Sequence, residues 1–226
     1  MNLSTDSDVV RRNYFEVPHL SSSSLSNVVF GAFLDWSMRS KSIMNERVKA
    51  LKDAHGDVLE LGFGTALNLP CFPQAVTRLT MIDPEVFMPK RVSRRIVAAR
   101  FPVEQMRLSA EQLPFEDGRF DCVVSTFALC TIPDVMAALH QVRRVLKPGG
   151  SFLFLEHGLS HEDSVAKWQW QLKPIQQLIG RGCHITRAID EMIQSAGFRI
   201  IRLDHYVIEG KRKTNSTMYR GEAITT

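Results

Sequence analysis

Three observations predict an α/β fold for this chain, with a mostly parallel sheet, helices on both faces and a helical cap. Strand-like apolar runs alternate with helix-like periodicity from residue 57 onwards, the pattern of a doubly wound sheet. The first run, Asp57-Val58-Leu59-Glu60-Leu61, ends in a glycine-punctuated turn, Gly62-Phe63-Gly64-Thr65-Ala66. An acid follows about twenty positions later, in Met81-Ile82-Asp83-Pro84, as in a nucleotide-binding βαβ unit. The glycines let the backbone turn sharply against a ligand, and the later acid can accept hydrogen bonds from two ribose hydroxyls.

Taken in order, residues 1 to 25, with the run Ser21-Ser22-Ser23-Ser24, read as an arm. From Leu25 to Ala54, Phe30, Phe33, Leu34, Met44, Val48 and Leu51 recur at helical spacing and predict one or two helices. Strands are predicted at 57–61, 78–83, 103–108, 120–126, 151–156, 198–207 and 217–224, seven in all. Between them lie a short helix after Ala66, then Met88–Arg100, Asp134–Leu146 and Thr186–Ala196. Pro133-Asp134 and Lys147-Pro148-Gly149-Gly150 are the start and stop signals of the third of these helices. A Trp-bearing helical insert near 160–185 (Trp168, Trp170, Leu172, Ile175) interrupts the alternation. This divides the chain into an N-terminal arm and helices placed to close a pocket, 1–56, and the α/β domain with its insert, 57–226.

Composition narrows the function classes. At 226 residues and 44% hydrophobic content, the chain is long enough for one domain with a sizeable core. No apolar run reaches the ~18 residues that span a bilayer, and the polar, acidic start Met1–Asp8 does not read as a signal peptide. A cytoplasmic location is expected, with peripheral membrane contact allowed. The net charge of +4 is mild. Lys90-Arg91, Arg94-Arg95 and Lys211-Arg212-Lys213 lack interleaved aromatics and read as solvated faces, so no nucleic-acid partner is expected. Cys71, Cys122, Cys130 and Cys183 show no CxxC spacing, which predicts reduced thiols and no zinc site.

In a doubly wound sheet the ligand lies at the carboxyl ends of the strands, so the residues following each strand matter most. Ala110-Glu111-Gln112-Leu113-Pro114-Phe115 follows the third strand, and Asp117-Gly118-Arg119-Phe120-Asp121 opens the fourth. Arg144-Val145-Leu146-Lys147-Pro148-Gly149-Gly150 precedes the fifth. With Glu60-x-Gly62-x-Gly64 and Asp83, this ordered set resembles the class I S-adenosylmethionine-dependent methyltransferases of small molecules, a Rossmann-like family, from about Val58 to Phe198. The resemblance implies S-adenosylmethionine as cofactor and S-adenosylhomocysteine as product. It places Glu60, Gly62, Phe63, Gly64 and Thr65 at the methionine moiety, Asp83 and Pro84 at the ribose, Ala110 and Glu111 beside the adenine, and Thr126 and Phe127 at the sulfonium and acceptor. Two positions depart from the family pattern. Ala66 replaces a third glycine, which a methyl group tolerates if that backbone keeps a negative φ, and Ser109 stands where many members carry an aspartate.

Cys130-Thr131-Ile132, Glu156-His157, the Trp-rich insert and Gly182-Cys183-His184-Ile185-Thr186-Arg187 add a narrower resemblance to the thiol methyltransferase, or methyltransferase-like, proteins. It implies a small, apolar acceptor, first a thiol. The alternative is O-, N- or C-methylation of a phenol, amine, quinone precursor or phospholipid head group. A nicotinamide-dependent oxidoreductase and a non-catalytic cofactor-binding protein are further alternatives.

Transfer from a sulfonium needs alignment and exclusion of water more than a catalytic constellation. His157 is the candidate general base, with Glu156 placed to orient it, and His184 is a second candidate from the cap. Arg187 is expected to pair with Asp190 or Glu191 of its own helix. Cys130 and Cys183 read as small core residues. One of Trp168 and Trp170 is expected to pack on the core, and Tyr14, Phe15 and Phe33 to close the pocket. The fourth strand ends in Ser125-Thr126-Phe127-Ala128, without the Asn/Asp-Pro-Pro-Tyr/Phe of base-amino methylation and without carboxylates to chelate magnesium, so no metal is expected.

Overall fold

The computed structural model describes residues 25–180, 182–208 and 216–225. The expectations for Tyr14, Phe15 and Lys211-Arg212-Lys213 lie outside these residues. The elements run α1 (Leu25–Met38), α2 (Lys41–Leu51), β1 (Gly56–Leu61), β2 (Val76–Ile82), α3 (Pro89–Val97), β3 (Val103–Met106), β4 (Phe120–Thr126), α4 (Val135–Val145), β5 (Leu146–His157), α5 (Asp163–Ile179), α6 (Ile189–Ser195), β6 (Phe198–Val207) and β7 (Thr217–Thr225).

The seven strands form one sheet in the order β3-β2-β1-β4-β5-β7-β6. Strands β1 to β5 are mutually parallel, and β7 lies antiparallel between β5 and β6. The chain reverses direction across the sheet between β1 and β4, so their carboxyl ends form the crevice where such sheets bind ligands. Consecutive strand residues point to opposite faces, and both faces are buried. Leu59, Val123, Phe152 and Phe154 meet Ala138, Leu139 and Val142 of α4 on one side. Val58, Leu79, Cys122 and Val124 meet Leu51 of α2 and Val92 of α3 on the other. That is why these strands read as near-continuous apolar runs.

Helix α4 follows its sequence signals. The Asp134 carboxylate accepts the Ala137 N–H at 2.9 Å, capping the first turn, and Val135, Ala138, Leu139, Val142 and Val145 form its buried face. The helix expected after Ala66 shortens to a 3₁₀ turn, Leu69–Cys71, because Pro70 and Pro73 supply no amide hydrogen and push the preceding residues out of the helical region. Helix α6 begins at Ile189, later than Thr186, because the Arg187 carbonyl accepts the Leu159 amide at 2.9 Å outside any helix.

Two face assignments are corrected. Helix α2 buries Ile43, Glu46, Arg47, Ala50 and Leu51, and leaves Val48 50% exposed. Its inward face carries two charges that find partners, which a hydrophobic stripe does not predict. Neither tryptophan of α5 packs on the core: Trp168 is 59% and Trp170 54% exposed. The helix is seated by Gln169, whose Oε1 accepts the Ser160 amide at 2.8 Å and whose amide donates to the Gly158 carbonyl at 2.9 Å.

Candidate active site

The turn after β1 brings three left-handed residues together. Gly62 has φ +64°, and a Cβ built on it would lie 2.5 Å from Cβ of Ala128, in the turn after β4. Its amide donates to the Ile82 carbonyl at 2.8 Å, extending the β1–β2 ladder into the turn. Gly64 has φ +53°, and a Cβ there would meet only Leu34 Cδ2 of α1, at 4.0 Å. Close packing thus dictates the first glycine, and backbone conformation beside open space dictates the second. Ala66 also sits at φ +61°, so the condition under which a methyl group would be tolerated there without strain is not met. This buried alanine holds a conformation that costs an L-residue roughly 1–2 kcal/mol.

Asp83, at the end of β2, closes the turn from the other side. Its Oδ2 accepts the Gly64 amide at 2.9 Å and its Oδ1 the Glu85 amide at 3.0 Å. Burial pushes its carboxyl up to about 6, against the two backbone donors. Pro84, next in the chain, is exposed. Thr65 is buried, and its carbonyl is held by Arg95 of α3. Arg95 and Arg91 also grip the buried Asp35 of α1, at 2.7 and 2.5 Å, fastening α1 over α3 beside the glycine turn.

Under the turn lies a buried polar network that no sequence motif announces. The guanidinium Nη1 of Arg47, from α2, donates to Asn68 Oδ1 at 2.7 Å and to Thr126 Oγ1 at 2.8 Å. The Asn68 amide donates to Glu60 Oε1 at 2.7 Å and to Thr126 Oγ1 at 2.8 Å. Burial pushes the Glu60 carboxyl up to about 7, although Asn68 and Arg47 both favour its charged form. Its second oxygen, Oε2, is buried without a hydrogen-bond partner. The Arg47 guanidinium also lies 5.1 Å from the centroid of the Phe127 ring. The signal available in the sequence was the spacing 43, 47, 50, 51, which puts Arg47 on the apolar face of α2.

The residues after β4 and β5 form the other half of the site. Phe127 takes φ +57°, and its amide donates to the Leu155 carbonyl at 2.9 Å. The Glu156 carboxylate accepts from Ser125 Oγ at 2.7 Å and from the Ala128 amide at 3.1 Å, fixing this turn. Glu156 and His157 are adjacent in a strand and point to opposite faces, so Glu156 does not orient His157. The partner of His157 is Cys183, with Nε2 and Sγ 2.8 Å apart. Burial alone would lower the imidazole pKa, but the Cys183 sulfur beside it raises it. A hydrogen bond from Cys130 and the contact with His157 hold the Cys183 thiol well below its ordinary range, against burial.

Further differences from the sequence expectations concern the cap. Arg187 does not pair along its own helix; it donates to the Leu129 carbonyl and, at 3.3 Å, to the Pro133 carbonyl. The His184 ring accepts from the Gln177 amide at 2.9 Å, and its backbone N–H donates to the Cys130 carbonyl at 2.8 Å. Ala110 is buried. Glu111 accepts Ser109 Oγ at 2.6 Å and the Asp134 amide at 2.7 Å, so its carboxylate organises the start of α4. Phe33 is exposed.

Residues 59–154 match the family model described as a methyltransferase domain. The chain is 36% identical over 170 residues to thiol S-methyltransferase TMT1B of Rattus norvegicus, covering 70% of this chain and 67% of that one. The chain is a class I S-adenosylmethionine-dependent methyltransferase. Among solved structures, the methyltransferase resembles a SAM-dependent methyltransferase from Aquifex aeolicus, with a TM-score of 0.60 and 14% identity over 87% of this chain and 98% of that one. It also resembles the [4+2]-cyclase SpnF, with a TM-score of 0.64 and 16% identity over 81% of this chain and 79% of that one. Those two likenesses speak for the Rossmann-like fold alone. Family membership sets aside the oxidoreductase alternative. The residues fit the family's cofactor: Glu60 Oε2 is an acceptor lacking a partner, Gly64 borders open space, and both Asp83 oxygens keep a free lone pair.

Proposed function

We propose that this methyltransferase moves a methyl group from S-adenosylmethionine to the sulfur of a small, apolar thiol. The observation that carries this reading is the 36% identity to a thiol S-methyltransferase over 170 residues. The cofactor supplies a methyl carbon already activated on a sulfonium sulfur. Glu60 takes the ammonium of the methionine moiety, the turn Gly62–Thr65 its carboxylate side, Asp83 the ribose hydroxyls with Pro84 beside them, and Ala110 and Glu111 flank the adenine. Helix α1 walls the cofactor through Leu34. Thr126 and Phe127 face the reacting centre, and the acceptor loses its proton at the cluster of His157, Cys130 and Cys183, with His184 on the same cap.

The substrate class is tested by offering one carbon skeleton as thiol, alcohol, phenol, amine and quinone precursor, and counting labelled methyl in the organic extract. Turnover on the thiol alone supports the reading; turnover only on another member replaces it. The exposed Val29, Phe33 and Trp36 of α1 and Trp170, Leu178 and Ile179 of α5 support peripheral contact with a lipid surface. No described helix is long and apolar enough to cross a membrane. The free cysteines support a reducing, cytoplasmic compartment.

Two consequences concern the cofactor. Asp83→Ala is expected to weaken S-adenosylhomocysteine binding by about 1.5–3 kcal/mol, roughly 10- to 150-fold, the scale of charge-assisted hydrogen bonds. Titration calorimetry on a variant with unchanged circular dichroism checks this, and unchanged affinity removes Asp83 from the site. Affinity also depends on pH, because Asp83 and Glu60 titrate near 6 and 7 and must be charged to accept from the ligand. It is expected to fall about tenfold per unit as pH drops between these two values, and about a hundredfold per unit below the lower of them. Stability of the free protein runs the other way. Carboxyls whose folded pKa is raised contribute stability at low pH, and lose it as pH rises through the folded value. The ligand-induced rise in melting temperature is therefore expected to be larger at about pH 8 than at about pH 5.5; an equal rise at both would exclude these carboxylates from binding.

A further inference from the structure

Cys130, His157 and Cys183 come from three separate segments: the turn after β4, the end of β5 and the loop after α5. Their Sγ, ring nitrogen and Sγ atoms all lie within 4.8 Å of one another. Both cysteines are free and buried, and His157 alone of the three is half-buried. The hydrogen bond from the His184 amide to the Cys130 carbonyl, at 2.8 Å, locks the two cysteine-bearing loops together. The cluster sits beside the cofactor turn. Cys130 is two residues from Ala128, the residue against which Gly62 packs, and the His157 ring lies 6.1 Å from the Phe127 ring.

We propose that Cys130, His157 and Cys183 bind a zinc ion, and that the open fourth position takes the sulfur of the acceptor thiol. The substrate part of this inference rests on the thiol reading above. Two thiolates and an imidazole are a donor set suited to zinc, and three protein ligands with one open position are the arrangement of catalytic sites. Tetrahedral zinc, with bonds of about 2.3 Å to sulfur and 2.0–2.1 Å to nitrogen, places its donors roughly 3.6–3.8 Å apart. The three atoms already converge within 4.8 Å of one another, and the 2.8 Å His157–Cys183 contact opens by about 0.8 Å when the ion enters. Two thiolates neutralise the ion's charge, so the buried complex avoids the cost of an unpaired charge. A third thiolate adds one negative charge, near Arg187, whose guanidinium acts on both Cys130 and Cys183.

The proposed step balances simply. The acceptor thiol binds through sulfur and releases its proton to solvent. The bound thiolate then attacks the methyl carbon as the carbon–sulfonium bond breaks. The products are a methyl thioether and S-adenosylhomocysteine, and the neutral thioether, a poor zinc ligand, departs. His157 serves as ligand rather than base, and the metal supplies the acidity.

The test starts from the full chain purified without a metal-binding tag. Elemental mass spectrometry is expected to find about one zinc per chain, and Cys130→Ser and Cys183→Ser each to lose it while keeping their S-adenosylhomocysteine affinity as a check on folding. Cobalt(II) substitution is expected to give thiolate-to-metal absorption that changes on addition of a small apolar thiol but not of the matching alcohol. Protein that binds neither ion, or holds a Cys130–Cys183 disulfide when thiols are titrated under reducing conditions, overturns the site. Metal-free protein that methylates thiols at the full rate overturns the metal's role and leaves the thiol reading standing. A cobalt spectrum indifferent to thiols, with turnover only on phenols or amines, overturns both the fourth-ligand assignment and the thiol reading.

Discussion

Arg47→Met is expected to cost about 3 kcal/mol of folding stability at about pH 8, the scale of leaving a buried charge without its nearby counter-charge. The methionine fills much of the volume, so the loss is electrostatic. It strips Asn68 and Thr126 of a donor and leaves Glu60 without its cation. Glu60 has a partial escape, because its carboxyl already titrates near 7. At about pH 5.5 it is protonated in both proteins, and the loss should shrink to the roughly 1–2 kcal/mol of two unmade hydrogen bonds. Urea unfolding at both pH values checks this. A pH-independent loss would mean that Arg47 acts by packing alone.

Gly62→Ala is expected to be similarly damaging, by about 2–5 kcal/mol. Its φ of +64° costs an L-residue roughly 1–2 kcal/mol, and its Cβ would sit 2.5 Å from that of Ala128. Relieving such overpacking costs typically another 1–3 kcal/mol. The two components separate experimentally. Adding Ala128→Gly removes the steric partner and should recover only the second component, leaving the backbone term. Full recovery, or none, in thermal melts of the double variant would contradict this division. Because Ala128 is tied to Glu156 on β5, the repulsion would also splay the turn that carries Phe127 and Cys130.

Much of the fold was legible because it depends on local pattern. Burial on both faces turns β1, β4 and β5 into apolar runs, glycines mark the turn after β1, and Asp134 and Gly149 bracket α4. What escaped depends on partners distant in the chain. Arg47 falls among the apolar positions of α2, but its partners Asn68 and Thr126 lie 21 and 79 residues away and only the fold brings them to it. Glu156 looked like the orienter of His157 because they are neighbours in sequence, yet strand geometry separates them and brings Cys183, 26 residues on, to the imidazole. Cys130, His157 and Cys183 could not be read as neighbours because they come from three separate segments of the chain instead of one motif. Ala66 shows the converse: an alanine in place of the third glycine does not report the backbone, and the turn imposes +61° on it. In α5 the polar Gln169, not either tryptophan, proved to be the anchoring residue.

The central claim is methyl transfer to sulfur, and isotope placement tests it most directly. The wild-type chain is given S-adenosylmethionine carrying a carbon-13 methyl group and a small apolar thiol that also bears a hydroxyl, and the product is examined by NMR. One S-methyl group per S-adenosylhomocysteine formed, with none on oxygen, is the expected result. Label on oxygen, or bound cofactor that never yields S-adenosylhomocysteine, would contradict it.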